Sequence, residues 1–171
     1  MDNIIFPATL LILFLPLLSF VMQLTVAKKL GDKSDYLPLS IIGTTLLLSL
    51  YIFYNVVILG HGHFYPINIS TEWIATTALS VSLGIYVDSF TSIMLCVVSL
   101  ISFLVHLYST EYMKGDKRYL RYFAFLGLFT FSMNGIVLAD SLFMMYLFWE
   151  LVGLSSFLLI GFWFEKDSAA N

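Results

Sequence analysis

In the stretch MMYLFWELVGLSSFLLIGFWF, Met144 to Phe164, one carboxylate, Glu150, stands near the middle of a run otherwise apolar enough to cross a bilayer. It falls about nine residues into its helix, roughly 13 Å deep and close to the midplane. A charge at that depth costs about 3 kcal/mol even on the gentlest insertion scales. The side chain must therefore stay protonated or face a hydrated protein interior with a cationic partner. A carboxylate that passes between those two states is a proton relay, and we read Glu150 as one. A neutral glutamate hydrogen-bonded to a neighbouring helix is the plainer alternative. Tyr146 one turn before it, and Gly153, Ser155 and Ser156 after it, offer hydrogen bonds and close helix contact. Simple packing of small residues explains these four at least as well.

The other candidates are weaker. His106 has Ser109 and Thr110 at helical spacing and Glu111 just beyond, and a histidine there can shuttle protons near neutral pH. A satisfied helix-end histidine is the better reading, with the relay role as the alternative. His61 and His63 in GHGH hint at a metal, yet no cysteine or convincing third ligand is near, so solvation in an outer loop is preferred and no metal site is expected. The single cysteine, Cys96, lies inside an apolar run, which leaves no intrachain disulfide and no thiol redox pair. Asp88 with Ser89, and Asp140 with Ser141, read first as helix starts, Asp140 being placed to cap the last helix. Asn68 opens an NIS glycosylation sequon, a short match that chance supplies easily.

Five elements must position these residues. With about 20 apolar residues per crossing, helices are predicted near Ile4 to Ala27, Leu37 to Leu59, Ser89 to Thr110, Tyr119 to Leu138 and Ser141 to Phe164. The connection KKLGDKSDY is short and polar, as a turn between antiparallel neighbours should be. Gly60 to Asp88 mixes β-branched and polar residues in loose alternation, which predicts a small hairpin on the membrane surface. Ala139 and Asp140 alone join the last two spans. The fold class is thus an all-α polytopic membrane protein, one transmembrane segment over residues 1–171 with a surface hairpin between helices 2 and 3.

Composition agrees: 60% of residues are hydrophobic and 11% charged, with a mean hydropathy of +0.93. That excludes an ordinary soluble domain. The sixteen phenylalanines and long unbroken apolar runs suit helices better than the alternating strands of a barrel. No phosphate-binding glycine loop or nucleotide fingerprint is present, and no nucleic-acid partner is expected. The first span lacks a basic leader and exceeds a signal-peptide core, so it reads as a retained helix.

Charge placement sets an orientation. All eight basic residues fall at alternate ends of the spans: Lys28, Lys29 and Lys33 in the first connection, Lys114, Lys117, Arg118 and Arg121 around the third, and Lys166 after the fifth span. The positive-inside rule then places the N-terminus outside and the C-terminus inside. None of these cations lies at the depth of Glu150.

The pieces HLYSTEYM, RYLRYFAFLGLFTFSM, LADSLFMMYLFWE and VGLSSFLLIGFW carry a resemblance to the antiporter-like membrane subunits of respiratory complex I, closest to subunit L, or chain 5. About half the chain resembles them strongly and the first two spans weakly. The resemblance implies that Glu150, the carboxylate after a tryptophan in the fifth helix, takes part in proton translocation. It implies a partner lysine on a later, broken helix and a second helical repeat, so the chain is expected to be the N-terminal part of a longer subunit. It also implies an enzyme in the sense of a translocase: a proton-translocating subunit of an NADH:quinone oxidoreductase in a bacterial inner or mitochondrial inner membrane. NADH, FMN, iron-sulfur clusters and quinone would then sit in partner subunits, with no cofactor and no redox catalysis in this chain. The expected partners are the other membrane-arm subunits, the rest of the same subunit and the lipid bilayer. Phe148 stands where the family often has glycine, and Phe157 where tyrosine is common; the bulk of Phe148 puts close approach of another helix there in question. The large subunit of a multi-subunit sodium/proton antiporter carries a similar Trp-Glu helix and is one alternative. A transport-inactive structural piece is another.

Overall fold

The computed structural model describes residues 2–25, 36–60, 66–75 and 80–163. The connection holding Lys28, Lys29 and Lys33, the His61 and His63 loop, and Lys166 lie outside the described residues. Five helices are long and apolar enough to cross a membrane. In chain order they are α1 (Asp2–Thr25), α2 (Tyr36–Phe53), α3 (Ser89–Tyr112), α4 (Tyr119–Leu138) and α5 (Leu142–Ile160). A π-helical turn, Tyr54–Leu59, extends α2, and a 3-10 turn, Gly161–Trp163, extends α5. Between α2 and α3 lies an antiparallel hairpin of β1 (Ile67–Ala75) and β2 (Ser80–Val87), in the connection where alternation predicts one.

Local chemistry starts and stops these elements. Asp88 caps α3 by accepting the Thr91 backbone N–H at 2.7 Å. The turn into α4 depends on Gly115, whose φ of 83° lies in the left-handed region that favours glycine. Just after it, Asp116 accepts the Arg118 N–H at 2.8 Å. The cap of α5 differs from expectation. Ser141 fills that place, its hydroxyl accepting the Met144 N–H at 3.3 Å, while Oδ2 of Asp140 accepts from the Ser82 hydroxyl at 3.3 Å. Asp140 lies one residue too early to reach the first free amides of α5, so its carboxylate turns to the hairpin.

α1, α2, α3 and α4 pack in sequence, with α4 closing back onto α1, and α5 lies against the outside of α4. Lipid offers no hydrophobic drive between helices, so small residues and interhelical hydrogen bonds carry the contacts. Backbone approaches backbone at Gly127 of α4, where an added Cβ would stand 3.0 Å from the Pro16 carbonyl oxygen and 3.2 Å from the Phe20 nitrogen. Ser49 and Ser99 join α2 to α3 at 2.8 Å, and Ser102 and Thr130 join α3 to α4 at 2.6 Å.

One cross-link follows from a proline. Pro16 sits inside α1 and has no N–H, so the carbonyl four residues earlier, that of Ile12, loses its helical donor. In a membrane interior that oxygen needs another partner. The buried Asn134 of α4 donates its Nδ2 to Ile12 O at 3.1 Å. Pro16, Asn134 and Gly127 thus bring α1 and α4 together over neighbouring turns. The hairpin seals one end of this bundle: Ile85 and Val87 join a buried cluster with Ile5, Leu138 and Val56.

Candidate functional site

Glu150 is the ninth residue of α5, which begins at Leu142, about 12 Å from the helix start. Its side chain is exposed, on a face that the other helices leave uncovered. Only 11% of this span is buried, against 50% of the fourth. Tyr146, one turn earlier and also exposed, shares this face, as residues at i and i+4 do. Gly153 follows on the same side, with nothing within 4 Å of where a Cβ would stand. Ser155 does not join this group; it is buried and donates to Val152 O at 3.0 Å. The Glu150 face therefore shows a carboxylate, a phenol and a bare glycine notch, flanked by the exposed Trp149 and Phe157.

Phe148 points the other way. Its ring enters the space beside Gly135 of α4, where any Cβ would collide with it, and meets Phe131 edge-on at 5.5 Å. The bulk of Phe148 thus leaves the Tyr146 and Glu150 face open: residues two apart on a helix point in widely different directions. The missing side chain of Gly135 on another element accommodates it.

His106 is 1% exposed in the interior, not at a solvated helix end. Its expected neighbours go elsewhere. Ser109 pairs with the Tyr122 hydroxyl at 3.4 Å, Thr110 donates to Leu107 O, and Glu111 pairs with Lys114 at 3.2 Å. Helical side chains lean toward the N-terminus, so His106 reaches back instead. Its Nδ1 lies 2.8 Å from Ser102 O and 3.5 Å from the Ser102 hydroxyl, which itself pairs with Thr130. With Nδ1–H donating to the carbonyl, Nε2 is an acceptor. It is buried without a hydrogen-bond partner, so this histidine is only half satisfied. The same residues line a cavity of about 300 Å³ between α3 and α4, reached by Leu159 of α5. Sequence spacing missed Ser102 and Thr130; the signal available was the hydroxyl four residues before His106.

The two candidates do not meet. Glu150 faces outward from α5, whereas His106 is enclosed between α3 and α4. Cys96 donates its thiol to Ser49 O at 3.2 Å, a packing role. Among the described residues, no three His, Cys, Asp or Glu side chains gather as a metal site. Asn68 lies exposed on β1, opposite Tyr86.

Two family models match. Residues 73–123 fit the N-terminal region of NADH-ubiquinone oxidoreductase (complex I) chain 5. Residues 139–171 fit the transmembrane region shared by NADH:quinone oxidoreductase and the Mrp antiporter. Among curated relatives, a chloroplastic NAD(P)H-quinone oxidoreductase subunit 5 from Chlorokybus atmophyticus is 42% identical over 134 residues, 71% of this chain and 20% of that protein. The subunit of the same name from Draba nemorosa is 39% identical over 147 residues, 86% of this chain and 19% of that protein. The chain thus spans about a fifth of the length of these relatives. A chain from the structure of the membrane-bound sulfane sulfur reductase, an archaeal respiratory membrane complex, superposes with a TM-score of 0.77 at 18% identity. That likeness covers 95% of this chain and 31% of the other, and shows the fold.

Proposed function

The chain belongs to the antiporter-like chain 5 family of NADH:quinone oxidoreductase membrane subunits, and from that premise we propose that Glu150 relays protons across the membrane arm of such an enzyme. The observation that carries the reading is a carboxylate deep in a span, on a face that the described helices leave uncovered, with no lysine or arginine near the middle of any apolar span. An ionised carboxylate there requires a cation or water, and either must arrive against that face. Binding a proton makes Glu150 neutral and weakens its hold on the cation; loss of the proton restores the pair. The Tyr146 hydroxyl donates a hydrogen bond to the ionised form and steadies its rotamer. The cation is the lysine on a later helix that the family resemblance implies.

Coupling then needs no redox group in this chain. NADH oxidation and quinone reduction, with flavin and iron-sulfur clusters, are assigned to partner subunits. A conformational signal from those subunits moves the cation and so loads or unloads Glu150. His106 is assigned a subordinate role as a second proton site, because its unpartnered Nε2 can accept a proton directly or through a water molecule.

The test is Glu150→Gln in the assembled oxidoreductase. Proton pumping should collapse while NADH oxidation is less affected; pumping at the parent level refutes the proposal. The match of residues 139–171 to a region shared with the Mrp antiporter favours one alternative, a sodium/proton exchanger. Sodium-dependent exchange that proceeds without NADH would identify it.

A further inference from the structure

The cavity beside His106 has a polar wall that accepts hydrogen bonds and has none left to donate. Thr130 gives its hydroxyl proton to Leu126 O at 2.9 Å. Each hydroxyl carries one proton, so in the 2.6 Å pair of Ser102 and Thr130 the donor is Ser102. His106 commits its Nδ1–H to Ser102 O at 2.8 Å. Only lone pairs remain for the cavity: those of the hydroxyl oxygens and that of the buried His106 Nε2, which has no hydrogen-bond partner. A buried acceptor left unmet costs about 1–3 kcal/mol. The wall therefore favours a molecule that brings a donor.

The rest of the cavity sets the shape and polarity of that molecule. Beyond Ser102, His106 and Thr130 every lining side chain is apolar, among them Val98, Phe129 and Met133. A buried water needs about 2–4 polar partners, so water suits the histidine corner and not the remainder of about 300 Å³. On α3 the lining runs from Val98 to His106, about 12 Å of helix. The polar corner lies toward the Tyr112 end of α3 and the apolar walls reach toward the middle of the span. Ile101 and Val105 line the cavity and are also 56% and 39% exposed. The cavity thus opens sideways at a depth where the surroundings are hydrocarbon.

We propose that this cavity binds a neutral, chain-like amphiphile with a single O–H donor, an aliphatic alcohol of medium length. Its hydroxyl donates to His106 Nε2 and its chain lies along Val98, Ile101 and Phe129. An ionised carboxylate brings no donor and meets only lone pairs, and an ammonium would give up its hydration at that depth; both are refused. The inference rests on the cavity and not on the proton roles assigned to Glu150 and His106, and its test reads binding instead of pumping.

The test uses the chain in lipid nanodiscs, with any accompanying subunits, photolabelled by a diazirine-bearing octanol and mapped by peptide mass spectrometry. Octanol and heptyl methyl ether, alike in size but only the first a donor, compete at equal concentration in the lipid. Label should fall on the cavity segments of α3 and α4, and octanol should displace it about fivefold better than the ether, the worth of one ordinary hydrogen bond. In His106→Leu the two should compete equally. Ile101→Trp closes the mouth with His106 intact and should abolish the cavity label. An ether as effective as octanol against the parent chain overturns the proposal, as does a preference that survives His106→Leu or a cavity label unchanged in Ile101→Trp. The assembled oxidoreductase should label at the same place; loss of the label there shows that another protein segment fills the cavity and also overturns it.

Discussion

At the scale of single residues, the bundle satisfies one stray polar group and leaves another half satisfied. Pro16 frees the Ile12 carbonyl, and Asn134 satisfies it from another helix. Asn134→Leu removes this donor and should destabilise the chain by about 1–3 kcal/mol. Adding Pro16→Ala returns an N–H to α1 and should recover much of that loss, so thermal unfolding in detergent should show the two changes coupled rather than additive. His106 makes a different case. His106→Leu gives up the Nδ1 contact but also removes an unpartnered Nε2, so stability should change by less than about 1.5 kcal/mol. If the assembled enzyme pumps at the parent rate with this variant, His106 has no relay role.

At the scale of elements, close approach depends on glycines and on one hairpin. Gly127 lets α4 touch the backbone of α1 beside Pro16, and Gly127→Val should force these helices apart and lower stability by about 1–3 kcal/mol. The hairpin holds the turn between α4 and α5 from outside. The Ser141 hydroxyl donates to Ser82 O at 3.0 Å, Asp140 pairs with Ser82, and Trp73 packs on Phe143 at 5.9 Å. Ser141 thus serves as both helix cap and tether. Ser141→Ala should cost about 1 kcal/mol or somewhat more, and hydrogen exchange should rise in the first turn of α5 and in β2 together. A rise confined to α5 would leave the cap as its whole role. Gly84 completes this junction: a Cβ there would stand 2.6 Å from Ile69 O across the sheet, so the hairpin tolerates no larger residue at that position.

At the scale of the whole molecule, four helices enclose one another and the fifth lies outside with its carboxylate face bare. Tyr146, Trp149, Leu154 and Phe157 beside Glu150 are exposed, and the proposed relay needs a cation brought to this face. These 171 residues placed alone in liposomes should therefore show no Glu150-dependent proton flux, since the cation required by the proposed relay has no source in the sequence. Equal dye responses from parent and Glu150→Gln liposomes, both near the protein-free leak, are the expected result. A flux that the substitution abolishes would mean that Glu150 works with water alone.

Length and hydropathy by themselves determined the five spans, because a bilayer of fixed thickness makes a helix legible as about 20 apolar residues, and loose alternation of β-branched and polar residues determined the hairpin. The apolar run predicts a fifth span from Ser141, whereas its helix starts at Leu142 with Ser141 as its cap. The same patterning singled out Glu150, since one carboxylate in an apolar run stands out without any structure. Side-chain direction and interhelical contact were decided only in three dimensions. Sequence spacing assigned His106 the hydroxyls that follow it, whereas the lean of helical side chains gave it Ser102 and, through it, Thr130. It assigned the cap to Asp140, whereas the hairpin claimed that carboxylate. It left Phe148 as a doubt about helix approach, which the glycine notch on α4 resolves. These outcomes depend on which helix lies beside which, and an almost uniformly apolar sequence carries little of that information: against lipid, one leucine face is as good as another.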